Sequence, residues 1–176
     1  MATVCKQYGP GRLPYADRRE IGAGYAMATT AAVAAVMFVL AMVIPGLPEV
    51  MPVDLAVSFG VIAFPIVIPS AFVSGVAVWR LATPNLSRYG PVAGLATAGL
   101  TYLVGTLGVG VLLLIVYLPG FLSGLWTVGE FLTIVGPVGP IYGIYAFIFT
   151  FWLTLPLGAL GGFIYERTRT ASTPEC

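Results

Sequence analysis

Four uncharged apolar runs, Ile21–Ile44, Leu55–Trp79, Val92–Leu118 and Ile141–Tyr165, leave this chain few ways to fold. As a helix each reaches about 36–40 Å at 1.5 Å per residue, against a bilayer hydrocarbon core of about 30 Å. Inside hydrocarbon a segment must satisfy its own backbone N–H and C=O groups, so each run is expected to cross as a helix. The expected fold class is an all-α integral membrane protein with four transmembrane helices in a bundle. Composition agrees: 59% of the 176 residues are apolar and only 9% are charged, whereas soluble domains carry about a quarter charged residues. So few charges could not keep a soluble surface wet.

The charges also orient the chain. Lys6, Arg12, Arg18 and Arg19 precede the first run, Arg80 and Arg88 lie between the second and third, and Arg167 and Arg169 follow the fourth. All eight basic residues thus fall on one side, while the two opposite loops hold Glu49, Asp54 and Glu130 and no basic residue. The positive-inside rule then places both termini in the cytoplasm. Arginine in preference to lysine, with abundant Ala, Gly and Val, fits a prokaryotic source, so the expected location is a prokaryotic cell membrane. Residues 1–20 and 166–176 are cytoplasmic tails too short to form domains, around a transmembrane domain over 21–165. Tyr25, Trp79, Tyr89 and Tyr165 fall near one membrane boundary and Tyr117, Trp126 and Tyr142 near the other, the level amphipathic rings prefer.

Between the third and fourth runs, "FLSGLWTVGEFLTIV" (121–135) is too short to cross. On a helix Ser123, Thr127 and Glu130 would stack at i, i+4, i+7 as a polar face, with apolar side chains elsewhere around it. The expectation is a short interfacial helix on the outer leaflet, or a lid over the bundle. "VIPGL" (43–47) and "YLPGF" (117–121) both end outward-running helices, and both inward-running helices contain prolines. A duplicated helical hairpin would leave this trace, as two parallel repeats.

Inside the second run, "AFPIVIPS" (63–70) carries two prolines. Each lacks the N–H that pairs with the carbonyl four residues before it, and an unpaired polar group costs several kcal/mol in hydrocarbon. Ser58, Pro65 and Pro69 share one stripe, which is therefore expected to point into the bundle, with the helix kinked or locally unwound there. Gly105, Gly108 and Gly110 in the third run and Pro156 in the fourth weaken two more helices at similar depth. Ser70, Tyr102, Thr106, Thr150 and Thr154 supply hydroxyls nearby. Pro65, Pro69, Ser70, Tyr102, Gly105, Thr106, Gly108, Thr150, Thr154 and Pro156 are thus the candidate helix-break or pore positions, and Ser123, Thr127 and Glu130 the candidate outer polar face. Close packing is the competing use of such residues: Gly90/Gly94 and Gly158/Gly162 are GxxxG pairs, and Gly24, Ala28 and Ala32 form a small-residue stripe.

Catalysis finds little to work with. The chain has no histidine, which removes the commonest general base and metal ligand. No carboxylate or lysine lies within the runs, so neither an activated nucleophile nor a proton relay is expected. Cys5 and Cys176 stand at opposite ends, and no P-loop, dinucleotide fingerprint or CxxC is present. No metal and no cofactor is expected. The basic residues form no stripe for nucleic acid. Two readings follow. One is a non-catalytic bundle-forming subunit or accessory component of a homo- or hetero-oligomeric membrane complex, with the lipid bilayer and other membrane subunits as partners. The alternative is a small transporter or channel component for a neutral or weakly polar solute, working through the proline-broken helices.

Overall fold

The computed structural model describes residues 14–15, 18–43, 53–81 and 90–170, with no side-chain detail for 42–43, 53–63, 134 and 170. The described residues form four helices and no strand: α1 (Arg19–Val43), α2 (Val53–Leu81), α3 (Gly90–Leu122) and α4 (Val128–Thr170). All four are long and apolar enough to cross a membrane. Most of both tails, residues 44–52 and 82–89, and both cysteines lie outside the described residues, as do the side chains of Ser58 and Asp54.

Helix ends follow local chemistry. Arg18 donates its N–H to the Tyr15 carbonyl at 3.0 Å, closing a turn in which Tyr15 takes φ 61°, and Gly22 then donates to Arg18 at 2.8 Å. Glu20 lies in the first turn of α1 and Arg80 in the last turn of α2, charges that suit the helix dipole at those ends. Pro91 sits in the first turn of α3, where a missing N–H costs nothing. At the far end of α3, Leu125 N–H reaches the Gly120 carbonyl at 3.0 Å and Gly124 N–H reaches Phe121 at 3.1 Å. Gly124 has φ 76°. This paired arrangement with a left-handed glycine terminates a helix and satisfies two of its orphan carbonyls.

That glycine corrects the expectation of a separate helix over 121–135. Phe121 and Leu122 finish α3, 123–127 make the turn, and residues from Val128 open a helix that runs unbroken for 43 residues. α4 continues through Pro137 and Pro140 because packing on α3 supports it there. Gly139 is buried, with the Gly110 Cα 3.7 Å from where its Cβ would stand. The fourth crossing expected at 141–165 is therefore the middle of a much longer element. At 1.5 Å per residue α4 spans about 64 Å and α3 about 50 Å, well beyond a hydrocarbon core of about 30 Å.

The helices pack in chain order, α1 along α2 and α3 along α4 most extensively, with less contact between α2 and α3 and between α1 and α4. Backbone closeness at glycines sets the two tight pairs. A Cβ on Gly75 would stand 3.0 Å from the Gly24 Cα, and one on Gly94 would strike the Gly158 carbonyl. Lipid gives helices no hydrophobic reason to associate, so small residues that admit van der Waals contact between backbones take over that role. Both GxxxG pairs of α3 and α4 are used in this way: Gly90 meets Gly162, and Gly94 meets Gly158 and Gly162.

Burial is concentrated at the end that carries the arginines. Ala23, Met27, Trp79 and Ala93 form a buried cluster from three helices, with Tyr165 of α4 packed against it. Tyr165 stands edge-on to Trp79 at 5.7 Å between centroids and donates its hydroxyl to the Arg19 carbonyl at 2.6 Å. All four helices meet here.

Ser74 is fully buried, and its hydroxyl has no partner. An unsatisfied buried hydroxyl is a cost rather than a support. Ser74→Ala is therefore expected to leave stability unchanged or raise it by up to about 1 kcal/mol, read as the midpoint of denaturant unfolding. A loss of more than about 1 kcal/mol would mean that the hydroxyl holds a trapped water.

Candidate functional site

The hydroxyls named from the sequence gather mainly at the seam between α3 and α4. Tyr102 on α3 extends its phenol between two threonines one turn apart on α4. Its oxygen lies 2.7 Å from Thr150 Oγ1 and is also hydrogen-bonded to Thr154 Oγ1. Both threonines point their protons along their own helix, Thr150 to the Ala146 carbonyl at 2.6 Å and Thr154 to the Thr150 carbonyl at 3.0 Å. With one proton per hydroxyl, Tyr102 donates to one threonine. It accepts from the other only when that threonine releases its backbone carbonyl. Phe147 meets the Tyr102 ring edge-on at 5.1 Å and fixes its direction.

One turn further along α3, Thr106 donates to the Tyr102 carbonyl at 2.7 Å, and its side chain occupies the space that a Cβ on Gly143 would need. The seam is thus a hydroxyl ladder seated against glycine. Ser70 belongs to a different seam, between α2 and α3. It donates to the Ile66 carbonyl at 2.6 Å, and its oxygen lies 3.9 Å from the Cβ position of Gly105. Gly108 approaches the Ile66 side chain there, at 3.2 Å. The ten candidate positions therefore do not converge on one site.

The prolines are a correction in direction, and the expected local unwinding is absent. Pro65, Pro69 and Pro156 are exposed, not turned into the interior, and α2 and α4 remain helical through them. Pro119, Pro137 and Pro140 are exposed as well. The physical reason lies in the contacts just described. Helices that meet backbone to backbone leave no room for a pyrrolidine ring, so the inward face of α2 carries Ser70, Ala71, Ser74 and Gly75 instead, all buried. The Val61, Pro65 and Trp152 carbonyls lose their usual helical donor to these prolines, and Pro65 and Trp152 are themselves exposed.

The expected outer polar face is also rearranged. Ser123 lies in the turn and donates to the Gly120 carbonyl at 2.9 Å. Thr127 and Glu130 do not line a helix surface with it; they cap α4. Thr127 N–H and Thr127 Oγ1 both donate to Glu130 Oε2 at 2.8 Å, and Glu130 N–H reaches back to Thr127 Oγ1 at 3.3 Å. This reciprocal capping box satisfies amides that would otherwise be orphans at the helix start. Its signature, Thr-x-x-Glu, stands openly in the sequence, as does the glycine before it. Gly143 and Phe147, which position the Tyr102 cluster, carry no such signal, because their partners are distant in sequence.

The Thr127 backbone N–H, and then its hydroxyl, hold the Glu130 carboxyl below the ordinary value of 4.5. A lowered value means the cap is complete above that ordinary value and is lost as pH falls through the lowered one. Amides in the first turn of α4 are expected to exchange faster with solvent in Thr127→Ala at neutral pH, and in the parent chain once the pH drops well below 4.5. Unchanged protection in Thr127→Ala would show that the cap contributes nothing.

No family model, curated protein or solved structure matches the chain. Among the described residues no three Cys, Asp or Glu side chains come together. What the Tyr102 cluster can do chemically is join helices: its hydroxyls bond to each other and to their own backbone.

Proposed function

We propose that this protein is a non-catalytic, four-span helical bundle that serves as a subunit or accessory component of a homo- or hetero-oligomeric membrane complex. The observation that carries this reading is the exposure of the six described prolines in helix interiors, Pro65, Pro69, Pro119, Pro137, Pro140 and Pro156. Their donor-less carbonyls face the surroundings, and lipid offers no hydrogen bond in return. Neighbouring subunits do. The hydroxyls of Ser70, Tyr102, Thr106, Thr150 and Thr154, by contrast, are spent on helix-to-helix and local backbone bonds. A transport reading that relied on proline-broken helices lining a central path loses its main support, although the Tyr102, Thr106, Thr150 and Thr154 ladder keeps a route for a neutral solute in view.

Two tests separate these readings. In Pro65→Ala/Pro69→Ala both missing donors return. A subunit should keep its helicity and its own stability while its native assembly, weighed in nanodiscs or by co-purified chains, falls severalfold. An assembly of unchanged size with lost solute uptake would overturn the subunit reading in favour of transport. The second test concerns location. We place the protein in a prokaryotic cell membrane, with both termini cytoplasmic and the α3–α4 turn at the outer interface, on the strength of the one-sided arginines. A membrane-impermeant thiol reagent applied to intact cells should label Glu130→Cys and spare Cys5 and Cys176. Labelling of Cys5 from outside would reverse the topology.

A further inference from the structure

Contacts within and between the helical hairpins differ in kind. α1–α2 and α3–α4 are each locked by glycines at which the backbones themselves meet. Between the hairpins the contacts pass through side chains: Ser70 and Ile66 against the glycines of α3, and Thr30 and Met27 against Gly161 of α4. Each hairpin is therefore internally stiff, and the seams between them are softer.

The α1–α4 seam is closed at one end, while the α2–α3 seam is also held further along, by Ser70 and Ile66 against Gly105 and Gly108. The buried cluster that joins all four helices lies at the arginine end. Beyond Thr30 and Gly161, α1 and α4 each present exposed large apolar side chains, Val36, Met37 and Leu40 on one and Phe147, Ile148 and Phe151 on the other. Two stiff bodies joined at that end and along α2–α3 have one easy motion, a rotation that parts α1 from α4.

The bodies also share a plan. Phe64, Pro69, Gly75 and Arg80 of α2 recur at one constant offset as Phe151, Pro156, Gly162 and Arg167 of α4. Gly75 and Gly162 each face a glycine on the other helix of their own hairpin. The stronger and weaker helix contacts obey the same two-fold relation, which exchanges α1 with α3 and α2 with α4. The second hairpin differs by its longer outer end.

We propose that the two hairpins are parallel repeats which pivot as rigid bodies about the arginine-end cluster of Ala23, Met27, Trp79, Ala93 and Tyr165, opening and closing the α1–α4 seam at the opposite end. The cluster acts as the joint because both bodies contribute to it and Ala23, Met27, Trp79 and Ala93 are buried there. The motion goes beyond the subunit reading and does not depend on which partner the chain meets.

Distances between spin labels in the full chain, in lipid nanodiscs and with Cys5→Ser and Cys176→Ser in every sample, test the pivot. Met37→Cys/Ile148→Cys reports the open end between hairpins. Leu81→Cys/Phe163→Cys reports the joint, and Leu107→Cys/Ile148→Cys reports the interior of the second hairpin. All five side chains are exposed, so the labels meet no packed neighbour. The expected result is a distribution at least twofold wider, or two-peaked, for the first pair than for the other two. Equal narrow widths in all three would overturn the proposal, because the bundle would then be one rigid body. Equal broad widths would overturn it as well, since the outer ends would then fray individually. Leu40→Cys/Ile144→Cys repeats the first measurement on the next turn and must agree with it.

Discussion

A single methyl group added at Gly94 is expected to destabilise the fold by about 3 kcal/mol, the upper part of the overpacking range. The new Cβ of Gly94→Ala would strike the Gly158 carbonyl, with the Gly162 Cα a further 3.2 Å away. Both obstacles are backbone, so no side chain can rotate aside, and α3 and α4 must separate along the seam that Tyr102 and its threonines also hold. Gly99→Ala is the matched control. It lies on the same helix with nothing within 4 Å of its Cβ position. There the methyl meets open space and removes the conformational freedom of glycine, so stability is expected to stay level or to rise by about 0.5–1 kcal/mol. Reversible unfolding in mixed micelles reads both. Equal effects at the two positions would mean that the α3–α4 backbones are not in contact.

Removing the Tyr102 side chain is expected to produce the second-largest effect. Tyr102→Ala loses the ring that stands edge-on to Phe147, together with the hydroxyl shared by Thr150 and Thr154. The side chain is only partly buried, so a loss of about 2–3 kcal/mol is expected, at the low end for a large-to-small change. Tyr102→Phe separates the contributions. It keeps the ring and removes the bridge between helices, and intramembrane hydrogen bonds of this kind contribute about 0.6–1.7 kcal/mol. Thr150 and Thr154 keep their backbone acceptors, so neither is left orphaned. If Tyr102→Phe costs as much as Tyr102→Ala, the hydroxyl rather than the ring holds the seam. If Tyr102→Phe costs nothing while uptake of a small neutral solute falls, the cluster serves passage instead of packing.

The hairpin turn shows where local signals competed and which prevailed. A polar stripe at i, i+4, i+7 can be drawn through Ser123, Thr127 and Glu130, and it fits an interfacial helix. Gly124 and the Thr127–Glu130 pair are stronger signals because they act on backbone groups directly. A glycine at φ 76° ends one helix, and a capping box starts the next three residues later. Side-chain periodicity assumes a continuous helix, and the backbone chemistry shows there is none.

Four helices long and apolar enough to cross a membrane, with five of their eight ends placed to within two residues, were determined by the sequence alone; the ends of α3 and α4 beyond the expected runs were not. The sequence alone also determined the gathering of the described arginines, Arg18, Arg19, Arg80, Arg167 and Arg169, at one end. The reason is physical: length, apolarity and charge are properties of single segments, and lipid forces a segment of that kind to be a helix. The facing of those helices was decided only by the tertiary structure. Donor-less carbonyls favour an inward Pro65/Pro69 stripe, yet those prolines are exposed, and with surroundings as apolar as the interior no hydrophobic pattern marks the inner side. Contact between backbones at Gly24, Gly75, Gly94, Gly158 and Gly162 sets the orientation instead, and it needs two helices to exist. The same holds for the meeting of Tyr102 with Thr150 and Thr154, and for the run of α4 through Pro137 and Pro140, which contact with α3 supports against the local preference to break.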